Sequence, residues 1–314
     1  MESGRKHLIA YLLLGLVMML WAGNAIVGRA VRFDIGPLTL AFLRWALATA
    51  LVMPFALPTL HRDWRAIVAH WKIVLTLGVL GVGMFNALLY SGLQHTTATN
   101  ALLLQAATPA AVVLLDRLVF RTRAGRLQLL GVACSIIGVA IIVFQGDLAA
   151  ALGLRFGRGD LIILSCVMVW SLYTILLRLR PQIAAVSFIA ATFAVGLVVM
   201  APVAAWEYAD GARVNWTPGV FAALAYVAVL PSILSYFIFN SATSTIGPAR
   251  AGQAITLMPL FGAFLSAGLL GEKLYLYHFA GMTLILAGIA LGALTLRRKL
   301  GAGTRAGAPL EDLR

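Results

Sequence analysis

Long apolar segments separated by short polar connections dominate the chain. A transmembrane α-helix needs about 20 consecutive, mostly apolar residues. The pattern predicts ten such helices, over residues 9–30, 37–58, 72–94, 97–117, 127–145, 159–178, 184–206, 218–240, 245–270 and 276–296. The first apolar segment is as long as a full span and comparable segments follow it, so it is typical of a transmembrane helix and not of a cleaved signal peptide.

The composition supports an all-α integral membrane protein. Of the 314 residues, 61% are hydrophobic and only 11% are charged, against about a quarter charged in soluble domains. The apolar excess excludes a disordered chain, and two cysteines are too few for a secreted disulfide scaffold. No connection is long enough to form a soluble domain, so any chemistry is expected within or between the helices.

The positive charges indicate how the chain is oriented in the membrane. Most of the 24 Lys and Arg residues lie in the N-terminal tail, the even-numbered connections and the C-terminal tail. Because cytoplasmic loops carry an excess of Lys and Arg, both termini are predicted to be cytoplasmic. The net charge of +13 is therefore read as a topology signal, and nucleic acid is not expected as a partner.

The sequence also repeats itself at a spacing close to 150 residues. Identities at an offset of 150 join Pro109 to Pro259, Gly131 to Gly281, Gly138 to Gly288 and Ser91 to Ser241, and Trp21 meets Trp170 at an offset of 149. Each repeat contains five predicted spans, an odd number, so the second copy enters the membrane from the opposite face. The expected architecture is ten transmembrane helices as two inverted five-helix repeats, 9–145 and 159–296, followed by a cytoplasmic tail, 297–314. Secondary transporters use this arrangement to expose a central site to each side in turn.

Several residues in the two repeats match the sequence pattern of a known family. They are Pro37 and Arg44, Pro109 with Gly131 and Gly138, and Pro259 with Gly271-Glu272-Lys273, Gly281 and Gly288. The chain resembles the EamA-domain proteins of the drug/metabolite transporter superfamily, most closely the YddG-type exporters of aromatic and other amino acids. The resemblance implies a bacterial inner-membrane location. The chain departs from the family pattern in the first repeat, where Arg121-Thr122-Arg123 stands at the place that Gly271-Glu272-Lys273 has in the second.

Polar and aromatic side chains lie near the middle of six predicted spans, the first, third, fourth, sixth, eighth and ninth. Such groups are costly in a bilayer unless they face protein or water, so they predict a substrate cavity. The candidate substrate-binding residues are Trp21, Asn24, Asn86, Tyr90, Gln105, Trp170, Tyr173, Tyr236, Asn240 and Gln253. The alternative for individual Ser and Thr residues nearby, such as Ser232, is hydrogen bonding between helices. The other four spans are expected to act as scaffold.

The predicted cavity carries little charge. No Asp or Glu lies in the middle of a span and the five histidines lie at segment ends, so a group that could couple transport to protons is not evident. Arg44 is expected to extend toward the membrane surface or to bond to backbone carbonyls. Arg250 either attracts a substrate carboxylate or marks topology. Pro109 and Pro259 are candidate hinges, a static kink being the alternative.

These features favour a secondary transporter that exports neutral or aromatic amino acids, or related small metabolites, by facilitated alternating access. A passive channel and an exporter of another metabolite or drug are the alternatives. An intramembrane enzyme is a distant one, because no catalytic constellation is present in the sequence. The expected partners are the lipid bilayer and a zwitterionic or neutral small molecule, with no cofactor, no metal, and a monomer or weak dimer.

Overall fold

The computed structural model describes residues 2–121, 125–147, 157–246 and 254–305. Within those ranges the apolar segments are helical. The α-helices are α1 (Glu2–Ala30), α2 (Pro37–Ala69), α3 (Trp71–Leu77), α4 (Phe85–His95), α5 (Ala98–Gln105), α6 (Thr108–Phe120), α7 (Arg126–Val143), α8 (Arg158–Leu176), α9 (Ala185–Ala209), α10 (Pro218–Ala228), α11 (Ser235–Ile246), α12 (Met258–Leu270) and α13 (Leu276–Arg305).

Six helical segments in the described residues are long and apolar enough to cross a bilayer. They are Ile9–Ala30, Pro37–Ala69, Trp71–His95, Arg158–Leu179, Ala185–Ala209 and Pro218–Phe239. A bent pair, Ala98–Gln105 with Thr108–Phe120, and three shorter apolar helices, Leu129–Val143, Met258–Leu270 and Leu276–Gly288, raise the number of possible spans to ten. The chain is a multi-pass membrane protein. Large apolar side chains such as Phe55, Val198 and Phe264 lie on its outside, where lipid would solvate them.

Two spans contain a π-helical segment near their middle. Gly78–Met84 connects α3 to α4, and Val229–Leu234 connects α10 to α11. The first segment holds three glycines and the second holds Pro231, which has no N–H to donate to an α-helical hydrogen bond. A π-helical turn widens the helix and frequently occurs at functional sites.

The fourth span is broken rather than smoothly kinked. α5 and α6 meet at an angle of 42°, and Pro109 lies in the first turn of α6. Proline is well suited to that place, because the first N–H groups of a helix have no partner within the helix. Pro259 has the same place in α12. Both prolines therefore begin helices and do not interrupt them.

Structural features recur at the spacing seen in the sequence. α6 runs from 108 to 120 and α12 from 258 to 270. Each ends at a residue with a left-handed backbone, Arg121 with φ 54° and Gly271 with φ 66°. The two π-helical segments begin at 78 and 229. The paired elements are therefore about 150 residues apart, which is the same spacing as that between the identical residues of the two sequence repeats.

α7 and α13 pack with their backbones almost in contact. A Cβ atom added to Gly138 would lie 2.6 Å from the carbonyl oxygen of Gly281, and one added to Gly281 would lie 2.8 Å from the carbonyl oxygen of Gly138. Small residues permit this close approach of helices inside membranes. Gly138 and Gly281 therefore allow α7 and α13 to pack backbone against backbone.

Carboxylates from distant parts of the chain cap the starts of three helices. Glu207, near the end of α9, accepts hydrogen bonds from the backbone N–H groups of Leu38 and Thr39 in the first turn of α2. Asp63, in α2, accepts one at 2.9 Å from the N–H of Ala184, which precedes α9. α2 and α9 therefore lie antiparallel, each capping the other. Glu272 caps α5 in the same way, because its carboxylate accepts hydrogen bonds from the backbone N–H groups of Ala98 and Thr99 at 2.9 Å each.

Candidate functional site

One cavity lies where eight of the α-helices converge. It contains about 620 Å³ of empty space, counting its open mouth. The residues that line it are Trp21, Asn24 and Ala25 of α1, Arg44 of α2, Phe85, Asn86 and Leu89 of α4, Gln105 of α5, Thr108 of α6, Trp170 of α8, Tyr236 of α11, and Ile255 and Met258 at the start of α12. The lining thus comes from both halves of the chain.

Aromatic rings form two walls of the cavity and are fixed by their neighbours. The indole N–H of Trp21 donates a hydrogen bond to the carbonyl oxygen of Pro231 at 3.0 Å, and its ring centroid lies 6.3 Å from that of Tyr236. On the other side, the ring of Trp170 is 4.6 Å from Phe85. Such rings provide apolar surfaces on which an aromatic or aliphatic side chain can stack.

Arg44 is the charged residue of the cavity lining. It is only 4% exposed, and its guanidinium joins three other helical elements. Its Nη1 atom donates to Asn24 Oδ1 and Asn86 Oδ1, at 2.8 Å each, and to Tyr90 Oη at 2.9 Å. Its Nε atom donates to Ser232 Oγ at 2.7 Å, in the second π-helical segment. These four neutral oxygens hold the guanidinium in one orientation.

Two expectations from the sequence were wrong at this point. Arg44 neither extends to the membrane surface nor bonds to backbone carbonyls, because side-chain oxygens at its own depth satisfy it. The cavity is therefore not neutral, and α2 contributes to it as well as to the scaffold. No described carboxylate lies within ion-pair distance of Arg44.

The other candidate residues divide into three groups. Trp21, Asn24, Asn86, Gln105, Trp170 and Tyr236 line the cavity. Tyr90 and Tyr173 lie behind its wall: Tyr90 is 1% exposed and donates to Asn24 Oδ1 at 2.7 Å, and Tyr173 packs on Trp170. The side chain of Asn240, the whole of Gln253 and Arg250 lie outside the described residues.

The sequence interpretation missed several lining residues. Phe85, Leu89 and Met258 are apolar and look like any other membrane-facing side chain in the pattern. Arg44 did carry a signal, because a charged residue inside a span is a functional-site hypothesis by default. The proline candidates lie close by: Pro109 follows Thr108 and Pro259 follows Met258, at the two points where lining helices begin.

A second polar cluster lies at the ends of the same helices. Thr96 Oγ1 donates to Asp160 Oδ1 at 2.6 Å, and His278 Nε2 lies 2.9 Å from Asn100 Oδ1. Arg29 donates to the backbone carbonyl of Leu93 at the end of α4. These contacts close one end of the helix bundle. Within the described ranges no three His, Cys, Asp or Glu residues are arranged to bind a metal ion.

Comparison with known proteins identifies related chains along the full length. A model of the EamA-like transporter family matches twice, over residues 8–144 and 157–294. An uncharacterized transporter of Archaeoglobus fulgidus is 30% identical over 90% of this chain and 96% of its own. The uncharacterized transporter YyaM of Bacillus subtilis is 25% identical, over 93% and 96% respectively. One solved crystal structure, 18% identical, superposes with a TM-score of 0.61 over 92% of this chain and 98% of that chain, and so shares the fold.

Proposed function

Because the chain belongs to the EamA-like transporter family, we propose that it is a secondary transporter that exports neutral or aromatic amino acids, or related small metabolites, from a bacterial cell. Transport itself is the function of the family. The substrate class, the direction of transport and the similarity to the YddG-type exporters are the proposed parts. The inner-membrane location and the cytoplasmic position of both termini are likewise parts of the proposal.

The proposed architecture is ten transmembrane helices arranged as two inverted five-helix repeats, 9–145 and 159–296. Three observations support it. The family model matches once in each half. α6 and α12 begin and end 150 residues apart. The helices α2 and α9, which are the second and seventh predicted spans, cap each other in an antiparallel pair, as related helices of inverted repeats would.

The observation that carries the proposal is the cavity itself. Trp21 and Trp170, one from each half, both face it. The amides of Asn24, Asn86 and Gln105 line the same space. An apolar side chain can stack on the indoles while amide groups bond to the polar end of the substrate.

The cavity must open to each side in turn for transport to occur. The helix starts at Pro109 and Pro259 border the lining residues and are the proposed hinges. The glycine contact between α7 and α13 and the capped pair of α2 and α9 are the proposed scaffold. Substrate then moves down its gradient, because no carboxylate or histidine among the described lining residues is available to couple it to protons.

Flux into proteoliposomes tests this function. Labelled phenylalanine, methionine and threonine are supplied with and without an imposed pH gradient, and saturable entry to equilibrium is expected in both conditions. Preloading the vesicles with unlabelled substrate should accelerate entry, since a carrier exchanges substrate faster than it returns empty. Non-saturable entry without this acceleration would indicate a passive channel, and absence of flux for all three would refute the substrate class.

A pair of tryptophan variants tests the cavity. Trp170→Ala removes a cavity wall and should abolish flux while the protein still inserts and folds. Trp64→Ala is the matched control, because Trp64 is 61% exposed on α2, away from the cavity. Flux that survives Trp170→Ala unchanged, or a loss of folding that parallels the loss of flux, would remove the basis of the assignment.

A further inference from the structure

The guanidinium of Arg44 has N–H groups for which the described residues offer no acceptor. An arginine side chain carries five N–H groups, one on Nε and two on each terminal nitrogen. The hydrogen bonds to Ser232, Asn24, Asn86 and Tyr90 use Nε and Nη1 only. Nη2 has no acceptor among the described residues, although the side chain is 4% exposed and lines the cavity. The free donors are thus available to a ligand in the cavity.

No described carboxylate compensates the charge of Arg44 either. The ion pairs of the described residues are Arg62 with Asp63 and Arg178 with Asp116, and neither involves Arg44. The internal ranges outside the described residues, 122–124, 148–156 and 247–253, contain no Asp or Glu. A cation held in a membrane interior without a counter-ion is costly. An anionic ligand would supply the missing charge.

We propose that Arg44 binds the carboxylate of the transported substrate, so that the cavity selects aromatic or apolar carboxylates. The proposal rests on the transport function above and narrows its substrate class. The carboxylate accepts hydrogen bonds from Nη2, while the four neutral oxygens keep the guanidinium in position. Since little reorganisation is needed on binding, the site is preorganised for an anion.

The same arrangement makes an α-amino group unnecessary. No described lining residue is acidic, so a substrate ammonium meets only amide dipoles and the faces of Trp21, Trp170 and Tyr236, which attract cations more weakly than a carboxylate does. A monocarboxylate adds one negative charge to a cavity that holds one positive charge. We therefore expect hydrocinnamate, which lacks the amino group of phenylalanine, to bind at least as well as phenylalanine.

Ligand binding to the purified full chain in lipid nanodiscs, measured by calorimetry, tests the inference without any variant. The ligands are hydrocinnamate, phenylalanine, phenylalaninol and 3-phenylpropanol, which share one aromatic body and differ in carboxylate and amine. The two carboxylates should bind, and the two alcohols should bind at least about 30-fold more weakly, as for loss of one partner of a buried charge pair. Alcohols that bind as well as the acids, or a protein that binds neither acid, would overturn the proposal.

Two variants assign the effect to Arg44. Arg44→Gln removes the charge, and Asn86→Asp keeps the guanidinium but gives it a permanent counter-ion at the oxygen now 2.8 Å away. Both should abolish the preference for acids over alcohols, and Asn86→Asp should do so with a melting temperature at or above that of the wild type. Arg29→Gln is the matched control, because Arg29 is also an arginine of a span but bonds to carbonyls outside the cavity. A preference for acids that persists in Asn86→Asp would contradict the role of Arg44.

The two proposals fail in different ways. Hydrocinnamate binding that depends on Arg44, without flux of any amino acid, would refute amino acid export and leave the carboxylate site intact. Phenylalanine flux together with equal binding of phenylalaninol would refute the carboxylate site and leave amino acid export intact.

Discussion

Replacing Glu207 with glutamine should destabilise the protein, because its carboxylate serves three donors at once. Oε1 accepts from Leu38 N at 3.1 Å, and Oε2 accepts from both Thr39 N and Thr39 Oγ1 at 2.7 Å. A glutamine amide offers one oxygen, and its NH₂ group would face an N–H donor at the other position. One buried N–H left without an acceptor costs about 1–3 kcal/mol, and loss of the negative charge at the helix start adds about 0.3–1 kcal/mol.

The expected total is about 1–4 kcal/mol, which for a chain of this size corresponds to a melting temperature roughly 2–6 °C lower. The melting temperature is followed by tryptophan fluorescence of the purified protein in detergent. Glu272→Gln removes an equivalent set of contacts at α5 and should give a similar decrease. Asp210→Asn, at an exposed position just after α9, should give none. If the Glu207→Gln variant has the same melting temperature as the wild type, the carboxylate does not stabilise the start of α2 as argued.

Two further predictions concern packing and the cavity wall. Gly138→Ala places a methyl group 2.6 Å from the carbonyl oxygen of Gly281 and should destabilise the protein by about 1–3 kcal/mol in thermal melts. Gly268→Ala, with no atom within 4 Å, should be neutral or slightly stabilising, and equal effects of the two changes would argue against the close packing of α7 and α13. Trp21→Phe retains a ring but loses the indole bond to the carbonyl oxygen of Pro231, so the ring is no longer fixed against the cavity and the concentration giving half-maximal flux should rise, a tenfold rise corresponding to about 1.4 kcal/mol. An unchanged half-maximal concentration would show that the orientation of this indole does not matter for binding.

The sequence predicted the membrane fold because length and hydropathy alone determine what can cross a bilayer. It also marked Pro109 and Pro259 as candidate hinges or kinks within spans, but both lie in the first turn of a helix, where proline does not interrupt the helical hydrogen bonds. The π-helical segments were not predicted. They replace one helical hydrogen-bond pattern with another while the side chains remain apolar, so the hydropathy pattern does not change.

The role of Arg44 could not be predicted because its partners are far away in the sequence. Asn24, Asn86 and Ser232 lie 20, 42 and 188 residues from it. Considered within its own helix, an arginine eight residues into a span is expected to extend toward water. Only the folded arrangement shows that three other elements supply oxygens at the same depth. The capping roles of Glu207 and Glu272 could not be predicted for the same reason, because their partners lie about 170 residues away.

The antiparallel pair of α2 and α9 has a mechanical consequence. Asp63 holds the start of α9, and Glu207 holds the start of α2. The two helices are joined by capping hydrogen bonds at both ends of the pair, so sliding one helix along the other would break both sets of hydrogen bonds together. Any opening of the cavity must carry the two helices as one body. Arg44 lies on α2 between these two attachments, so its guanidinium keeps its position relative to both helices of the pair.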